Sequence, residues 1–315
     1  MTYQIENQNN FGENLNREVH DPSSVYNVCS EATFPVEYFP AMFMGGEYNT
    51  PKIPRVETGK NKGRPTNVFV VRTDTNQALG LHSSRYDQRQ DGYATVLETA
   101  ETLFPNSAES CTLFGNGERL VFTQTLGEQV DIGSSGDCLL PRLVWVSSLN
   151  GTWSTGVFNM MERPSCANQL IGATPLWKVK RTTNHGDRVE IRAEILANQV
   201  VEAKRFAYVA SVMNDQAFTN REFDALVEKL VPLDWDASDR AFRNAETKQA
   251  TLKHKWRVEL DKWGSITSHG NRWLAYNAIQ GAEQHYLCKG NAHALQQAVS
   301  GKTPLATKAM KLLAV

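Results

Sequence analysis

Trp177-Lys-Val-Lys-Arg-Thr-Thr-Asn-His-Gly-Asp-Arg-Val-Glu190 is the stretch at which the chain changes its period. Before it, apolar residues recur at every second position, as in strands; after it they recur near every 3.6, as in helices. Alternation along Lys178-Val-Lys180 puts both lysines on one face and Trp177, Val179 and Arg181 on the other. Asp187-Arg-Val-Glu190 has the form of a capping box with Asp as the cap, opening a helix through about Met213. The stretch therefore reads as a joint between a sheet and a helix. Asn184 and His185 fall at the start of that helix, where unpaired backbone N–H groups favour an anion.

Working back toward the N-terminus, strand signals crowd together. Asn67–Thr73 is rich in β-branched residues, and Asp74-Thr-Asn76 is a turn leading to Gln77–His82. Cys111–Phe114 and Arg119–Thr125 flank Gly115-Asn-Gly117, a hairpin signal because Asn and Gly tolerate positive φ. Leu139–Ser147 and Trp153–Met160 flank Asn150-Gly151 in the same way. One helix interrupts this series, Asp91–Phe104, stopped by Pro105. Working forward, Thr219-Asn-Arg-Glu222 is a second capping box, with its helix stopping near Pro232. Further helices are expected over 238–263, 269–287 and 302–314. The fold class is α+β: an antiparallel sheet of hairpins with one early helix, followed by a helical C-terminal half.

The expected organisation has three parts. Residues 1–50 form an acidic N-terminal arm, partly disordered, with one base against seven acids; the net −1 of the whole chain leaves +5 for the remainder. Within that arm the aromatic and methionine residues of 25–50 dock in part on the body. Residues 51–215 form a β-rich core with a long helix, and 216–315 a helical C-terminal region. At 315 residues, 41% apolar and 21% charged, the chain is long enough to bury a sizeable core. No apolar run is long enough to span a bilayer and no secretory signal opens the sequence, so no membrane association is expected. Five widely spaced cysteines without a Cys-x-x-Cys pair argue against a disulfide framework or a zinc ribbon and point to a reducing cytoplasm.

The chain lacks a phosphate-binding Gly-x-x-x-x-Gly-Lys-Ser/Thr loop, a dinucleotide fingerprint, a His-Glu-x-x-His helix and a Gly-x-Ser-x-Gly elbow. The histidines show no ligand spacing and read as surface or satisfied core residues. No catalytic residue, metal or cofactor is therefore expected. Three basic clusters remain. Residues 52–64 hold five bases and one acid, and 178–192 five bases and two acids. The third, Arg240–Lys262, interleaves its bases with acids and with Trp256 and Trp263 seven apart, which fits a solvated helix face with core anchors. For the first two clusters the plain alternative is also solvation, but aromatics adjoin both. Cations neutralise phosphates and release counterions, while rings stack on unpaired bases. Phosphate contacts are accordingly expected from Lys60, Lys62, Arg64, Arg72, Lys178, Lys180, Arg181, His185 and Arg188. Phe69 or Trp177 would support bases.

An ordered set of short motifs resembles the phage/plasmid-like family catalogued as domain of unknown function 932. The set runs Arg72-Thr-Asp-Thr, Leu79-Gly-Leu, Tyr86, Leu113-Phe-Gly-Asn-Gly-Glu-Arg119, Gly136-Asp137, Asn150-Gly151, Arg163 to Cys166-Ala-Asn-Gln-Leu170, and His185. Trp273-Leu-Ala-Tyr-Asn277-Ala-Ile and Glu283-Gln-His285 are similar to that family's closing helix. The likeness covers roughly residues 65–300. This chain has Pro164-Ser165 where the family tends to have Arg-Val-Val before the cysteine. The resemblance implies a protein of phages, plasmids or integrative elements in the cytoplasm of a bacterial host, and it carries no activity or catalytic residues with it.

More distantly, the outline is similar to ATP-independent single-strand annealing proteins, which hold the phosphodiester backbone in a basic groove. The leading expectation is a single-stranded-DNA-binding and strand-annealing protein of a mobile element, with single-stranded DNA as partner and assembly into a homo-oligomeric ring or filament. The alternative is a non-enzymatic accessory or anti-defence protein acting through protein contacts of its acidic arm. A metal-dependent nuclease is the third reading.

Overall fold

A computed structural model describes residues 22–40, 67–83, 86, 91–127, 129–133, 137–162, 169–171, 176–182, 184–193, 199–263, 270–287 and 304–314. The fold is α+β, with antiparallel sheets early and helices concentrated in the C-terminal half. Among the described residues the elements run α1 (Val25–Val28), β1 (Val36–Pro40), β2 (Asn67–Arg72), β3 (Gln77–Ser83), α2 (Ala94–Leu103), β4 (Ala108–Phe114), β5 (Arg119–Thr125), β6 (Val130–Ile132), β7 (Asp137–Ser148), β8 (Thr155–Glu162), β9 (Gln169–Ile171) and β10 (Trp177–Val179). The helices α3 (His185–Ala193), α4 (Gln199–Asn214), α5 (Asn220–Leu230), α6 (Asp239–Trp263), α7 (Arg272–His285) and α8 (Pro304–Leu313) follow.

The described strands form two antiparallel sheets. The smaller is ordered β1-β2-β3; the larger is β10-β8-β7-β5-β4, with β6 on β7 and β9 on β8. The β4–β5 hairpin closes as its Gly-Asn-Gly turn dictates: Phe114 faces Arg119, and Gly115 and Gly117 have φ of +62° and +98°, which only glycine adopts cheaply. Strand β7 is the spine of the larger sheet. Its odd residues Leu143 and Trp145 enter one core, with Phe122, Trp177, the early helices and the inner face of the small sheet. Its even residues Val144 and Val146 enter another on the opposite face, with Val121, Phe158 and Met160. A sheet buried on both faces explains why β7 reads as a continuous apolar run.

A third core gathers α4, α5, α6, α7 and α8 over Ile132, Leu139 and Met161 of the sheet. Helix α5 carries the expected capping box: Thr219 Oγ1 accepts from Glu222 N at 3.2 Å, and Glu222 Oε2 accepts from Thr219 N at 2.7 Å. Trp256 is a core anchor as its spacing predicts, stacked on Phe223 at 4.7 Å and donating to Asn220 Oδ1 at 2.8 Å. Trp273 on α7 donates to the buried Asp137 Oδ2 at 2.9 Å, tying the helical half to the first residue of β7.

The start of one helix differs from the sequence reading. The helix expected from Asp187 begins at His185, so Asp187 lies in its first turn and is not its cap. The buried His185 ring pins the chain there, and a local pattern of polar residues does not reveal that anchor. That helix is described in two pieces, α3 and α4, and 194–198 between them lie outside the described residues. The segment 25–40 packs into the core: Val25, Cys29 and Ala32 are buried and β1 pairs with β2. Residues 1–21 and 41–50 of the expected arm, and Arg163–Asn168 of the motif set, lie outside the described residues. Cys29, Cys111 and Cys138 are free thiols. No helix among the described residues is long and apolar enough to cross a membrane.

Candidate nucleic-acid interface

Among the described residues strand β10 is an edge strand, pairing only with β8 through Trp177↔Val157, Lys178↔Gly156 and Val179↔Thr155. Side chains of β10 and of the two residues that follow it are sorted as the alternation predicts. Trp177, Val179 and Arg181 point inward and are buried, whereas Lys178 and Lys180 are exposed. Arg188, in the first turns of α3, is exposed as well, beside the exposed Asp187. Lys178, Lys180, Asn184 and Arg188 thus give the end of β10 and the start of α3 a solvent-facing polar surface with three cations.

The inward side chains are engaged inside the protein. Trp177 packs edge-on to Trp145 at 5.7 Å, and Trp145 stacks on Phe122. The Arg181 guanidinium donates to Asp91 Oδ1 at 3.0 Å and to the Gly92 carbonyl, and lies over the Tyr86 ring at 5.9 Å. His185 is fully buried; its Nε2 shares a 2.7 Å hydrogen bond with Thr155 Oγ1, which shares one of 2.8 Å with Ser147 Oγ. Of the residues expected to meet DNA around the joint, Lys178, Lys180 and Arg188 face solvent, while Trp177, Arg181 and His185 build the scaffold beneath them. For Arg181 to reach a phosphate, its buried carboxylate pair would have to be given up, at a cost that such pairs make large.

The other expected residues lie on the small sheet or outside the described chain. Arg72 grips Asp74 with two hydrogen bonds of 2.8 and 2.9 Å, donates to the Asn116 carbonyl at 3.2 Å and lies 4.1 Å over the Phe34 ring. Its pairing with Asp74 raises the Arg72 pKa and lowers that of Asp74, so both stay charged. Phe69 sits on the outward face of β2, half-buried. Lys60, Lys62 and Arg64 lie outside the described residues.

Between the two sheets, residues far apart in sequence meet at the β7–β8 turn. Tyr86 Oη donates to the carbonyls of Ser148 and Leu149, at 3.3 and 3.2 Å. The His82 ring stacks on Tyr86 at 3.7 Å, and its Nε2 lies 2.6 Å from the Leu149 carbonyl. Burial lowers the His82 pKa; the Leu149 carbonyl opposes that shift and the nearby Arg181 charge adds to it. Asn150 Nδ2 donates to Glu118 Oε2 at 2.9 Å, and Tyr93 Oη to the Gly117 carbonyl at 2.9 Å. A Cβ on Gly80 would fall 2.7 Å from Asn150 Cα, so only glycine lets β3 come this close. An isolated bridge between Tyr86 and Thr182 carries the junction onto the end of β10.

The sequence reading missed a second polar centre. Arg142, in the middle of β7, is held between Glu109 of β4 and Glu162 of β8, all three buried. Its signal was a lone arginine interrupting the apolar run Leu139–Val146, but its two carboxylates come from distant strands. Among the described residues no group of three His, Cys, Asp or Glu comes together as a metal site.

No curated protein and no solved structure matches the chain. One family model does, over residues 78–302, and most of the residues that converge at the junction fall within that span. On that match the chain belongs to the family described as domain of unknown function (DUF932).

Proposed function

We propose that the protein binds single-stranded DNA without ATP and promotes its annealing, as a recombination factor of a phage or other mobile element. The observation that carries this reading is the sorting of side chains along 177–181, with Lys178 outward on the edge strand β10, Lys180 exposed just past its end and Arg188 close behind on α3. Cations held on a rigid strand edge can track a phosphodiester backbone at little entropic cost. Lys60, Lys62 and Arg64 extend the basic set, and Phe69 supports a base. The family's association with phages and plasmids adds to the reading.

The test is a salt titration of binding to a labelled oligothymidylate. For single strands the logarithm of the binding constant falls by about 0.7 per phosphate contact for each unit in the logarithm of salt concentration. Replacing Lys178, Lys180 and Arg188 together by alanine removes three exposed cations and is expected to flatten that slope by about two. Undetectable or salt-insensitive binding would sink the proposal.

One observation favours the runner-up, an accessory protein that works through protein contacts. Trp235 is 82% exposed, 4.9 Å from the Phe242 ring at the start of α6. Exposed tryptophans of this kind are common anchors of protein interfaces. A W235A variant that keeps DNA binding but loses the biological activity of the element would move the function there.

A further inference from the structure

We infer that Arg119, held over the rings of Phe114 and Trp153, binds a backbone phosphate of the single strand on the same sheet face as Lys178. The inference rests on the proposed single-strand binding and adds to it a cation on β5, three strands away from β10. The guanidinium carbon lies 5.0 Å from the Trp153 ring centre and 5.4 Å from that of Phe114, and the two rings meet edge-on at 6.0 Å. Arg119 is half-buried; its Nε is shut off from solvent and donates to no acceptor. Its terminal nitrogens make no hydrogen bond or ion pair with a described residue. The other buried and half-buried arginines among the described residues are all taken up. Arg72 holds Asp74, Arg142 holds Glu109 and Glu162, Arg181 holds Asp91, and Arg272 donates to the Leu313 carbonyl. Polar groups in such positions are ordinarily bonded, so an arginine without a protein acceptor points to one from outside.

The register relates this arginine to the cations at β10. Lys178 faces Gly156, Gly156 faces Val146, and Val146 faces Val121. Facing residues point to one side of a sheet, as do alternate residues of a strand, so Lys178 and Arg119 share a face. Three strand spacings of about 4.8 Å separate β10 from β5, a gap of about 14 Å that a short single strand bridges. The centre of the face is apolar and buried, with Val121, Val146 and Phe158, so both cations stand on its rim. Nearby acids do not compete for the guanidinium. Alternation turns Glu118 to the opposite face, where it accepts from Asn150 Nδ2 at 2.9 Å, and Glu109 and Glu162 are engaged by Arg142. A guanidinium positioned by two rings loses little freedom on binding, and its planar fork matches two phosphate oxygens.

The experiment uses the full-length chain and a labelled oligothymidylate of about 30 nucleotides. R119Q is expected to weaken binding by about tenfold, as loss of a charge-assisted hydrogen bond does, and to flatten the salt slope by about 0.7. R119K keeps the charge and is expected to keep the slope at a lower affinity. In the wild type, bound oligothymidylate is expected to shield Arg119 from an arginine-specific glyoxal reagent, read by peptide mass. That arm needs no variant and decides the matter if R119Q does not fold. Inorganic phosphate is expected to compete no better than chloride at equal ionic strength. Wild-type affinity and slope in R119Q, a weaker R119Q with an unchanged slope, or equal modification with and without oligothymidylate each overturns the Arg119 contact and leaves the cations at β10 standing. Phosphate-specific competition that R119Q abolishes makes this a site for the free ion, which also overturns it. A wild type that binds no oligothymidylate overturns the single-strand reading and the inference together.

Discussion

Gly80 shows how one absent methyl group holds two sheets together. The nearest atoms to a Cβ there are Asn150 Cα at 2.7 Å, the His82 ring and the Leu149 carbonyl at 3.2 Å, and backbone cannot swing aside as a long side chain can. Gly80→Ala is therefore expected to lower stability by about 1–3 kcal/mol, the usual range for overpacking. Urea denaturation at neutral pH checks it, and an unchanged midpoint would show that the junction is looser than the geometry requires. At the same scale, alternation told which residues of 177–181 point inward. It could not tell that Arg181 meets Asp91 or that His185 meets Thr155, because those partners lie 90 and 30 residues away.

Helix α7 makes the corresponding point for an element. Every residue from Trp273 to Gln284 is buried, including Asn277, Gln280, Glu283 and Gln284. A helix buried on all sides with polar groups on it must have those groups satisfied. Glu283 does so by capping α8, accepting from Leu305 N at 3.1 Å and Ala306 N at 2.9 Å. At the end of α7, burial pushes the His285 pKa down to about 4, with the charge of Lys255 adding to the shift. The unfolded chain therefore takes up the proton first, near the ordinary value of 6.5, and stability falls as the pH drops from 6.5 toward 4. The slope from this group approaches about 1.4 kcal/mol per pH unit within that window. Glu283 acts with the opposite sign. Burial raises its pKa above 4.5 although the two N–H donors oppose the shift, so its contribution is full below 4.5 and is lost as the pH rises through its folded value. Thermal melts of wild type and H285N across this range separate the two, since the variant removes only the histidine part. A flatter acid limb is expected for H285N, and identical profiles would count against a buried, neutral His285.

For the whole molecule, the reading of function makes assembly the measurable quantity. A ring or filament would appear in light scattering as a multiple of the 35.3 kDa chain, and single-stranded DNA is expected to increase or stabilise it. A monomer at all concentrations, with and without DNA, would count against annealing by assembly. The exposed residues Val201, Tyr208 and Val212 recur along α4 at helical spacing. Such surfaces are where copies of the chain would be expected to meet.

What the sequence by itself determined is the local grammar: the α+β order, the turn at Gly115-Asn-Gly117, the capping box at Thr219 and the inward and outward faces of β10. Each depends on residues within a few positions of one another, where backbone geometry and side-chain period act directly. The tertiary structure alone decided that the strands divide into two sheets, that Arg72, Gly80, Tyr86, Glu118 and Asn150 meet at one junction, and that Arg142 is clasped by two distant carboxylates. Those outcomes depend on strand pairing across long stretches of chain, and no local period encodes which distant strand a residue will face. The same division holds for the candidate site. Sequence chose its cations, and among the described residues the fold decided which of them face solvent.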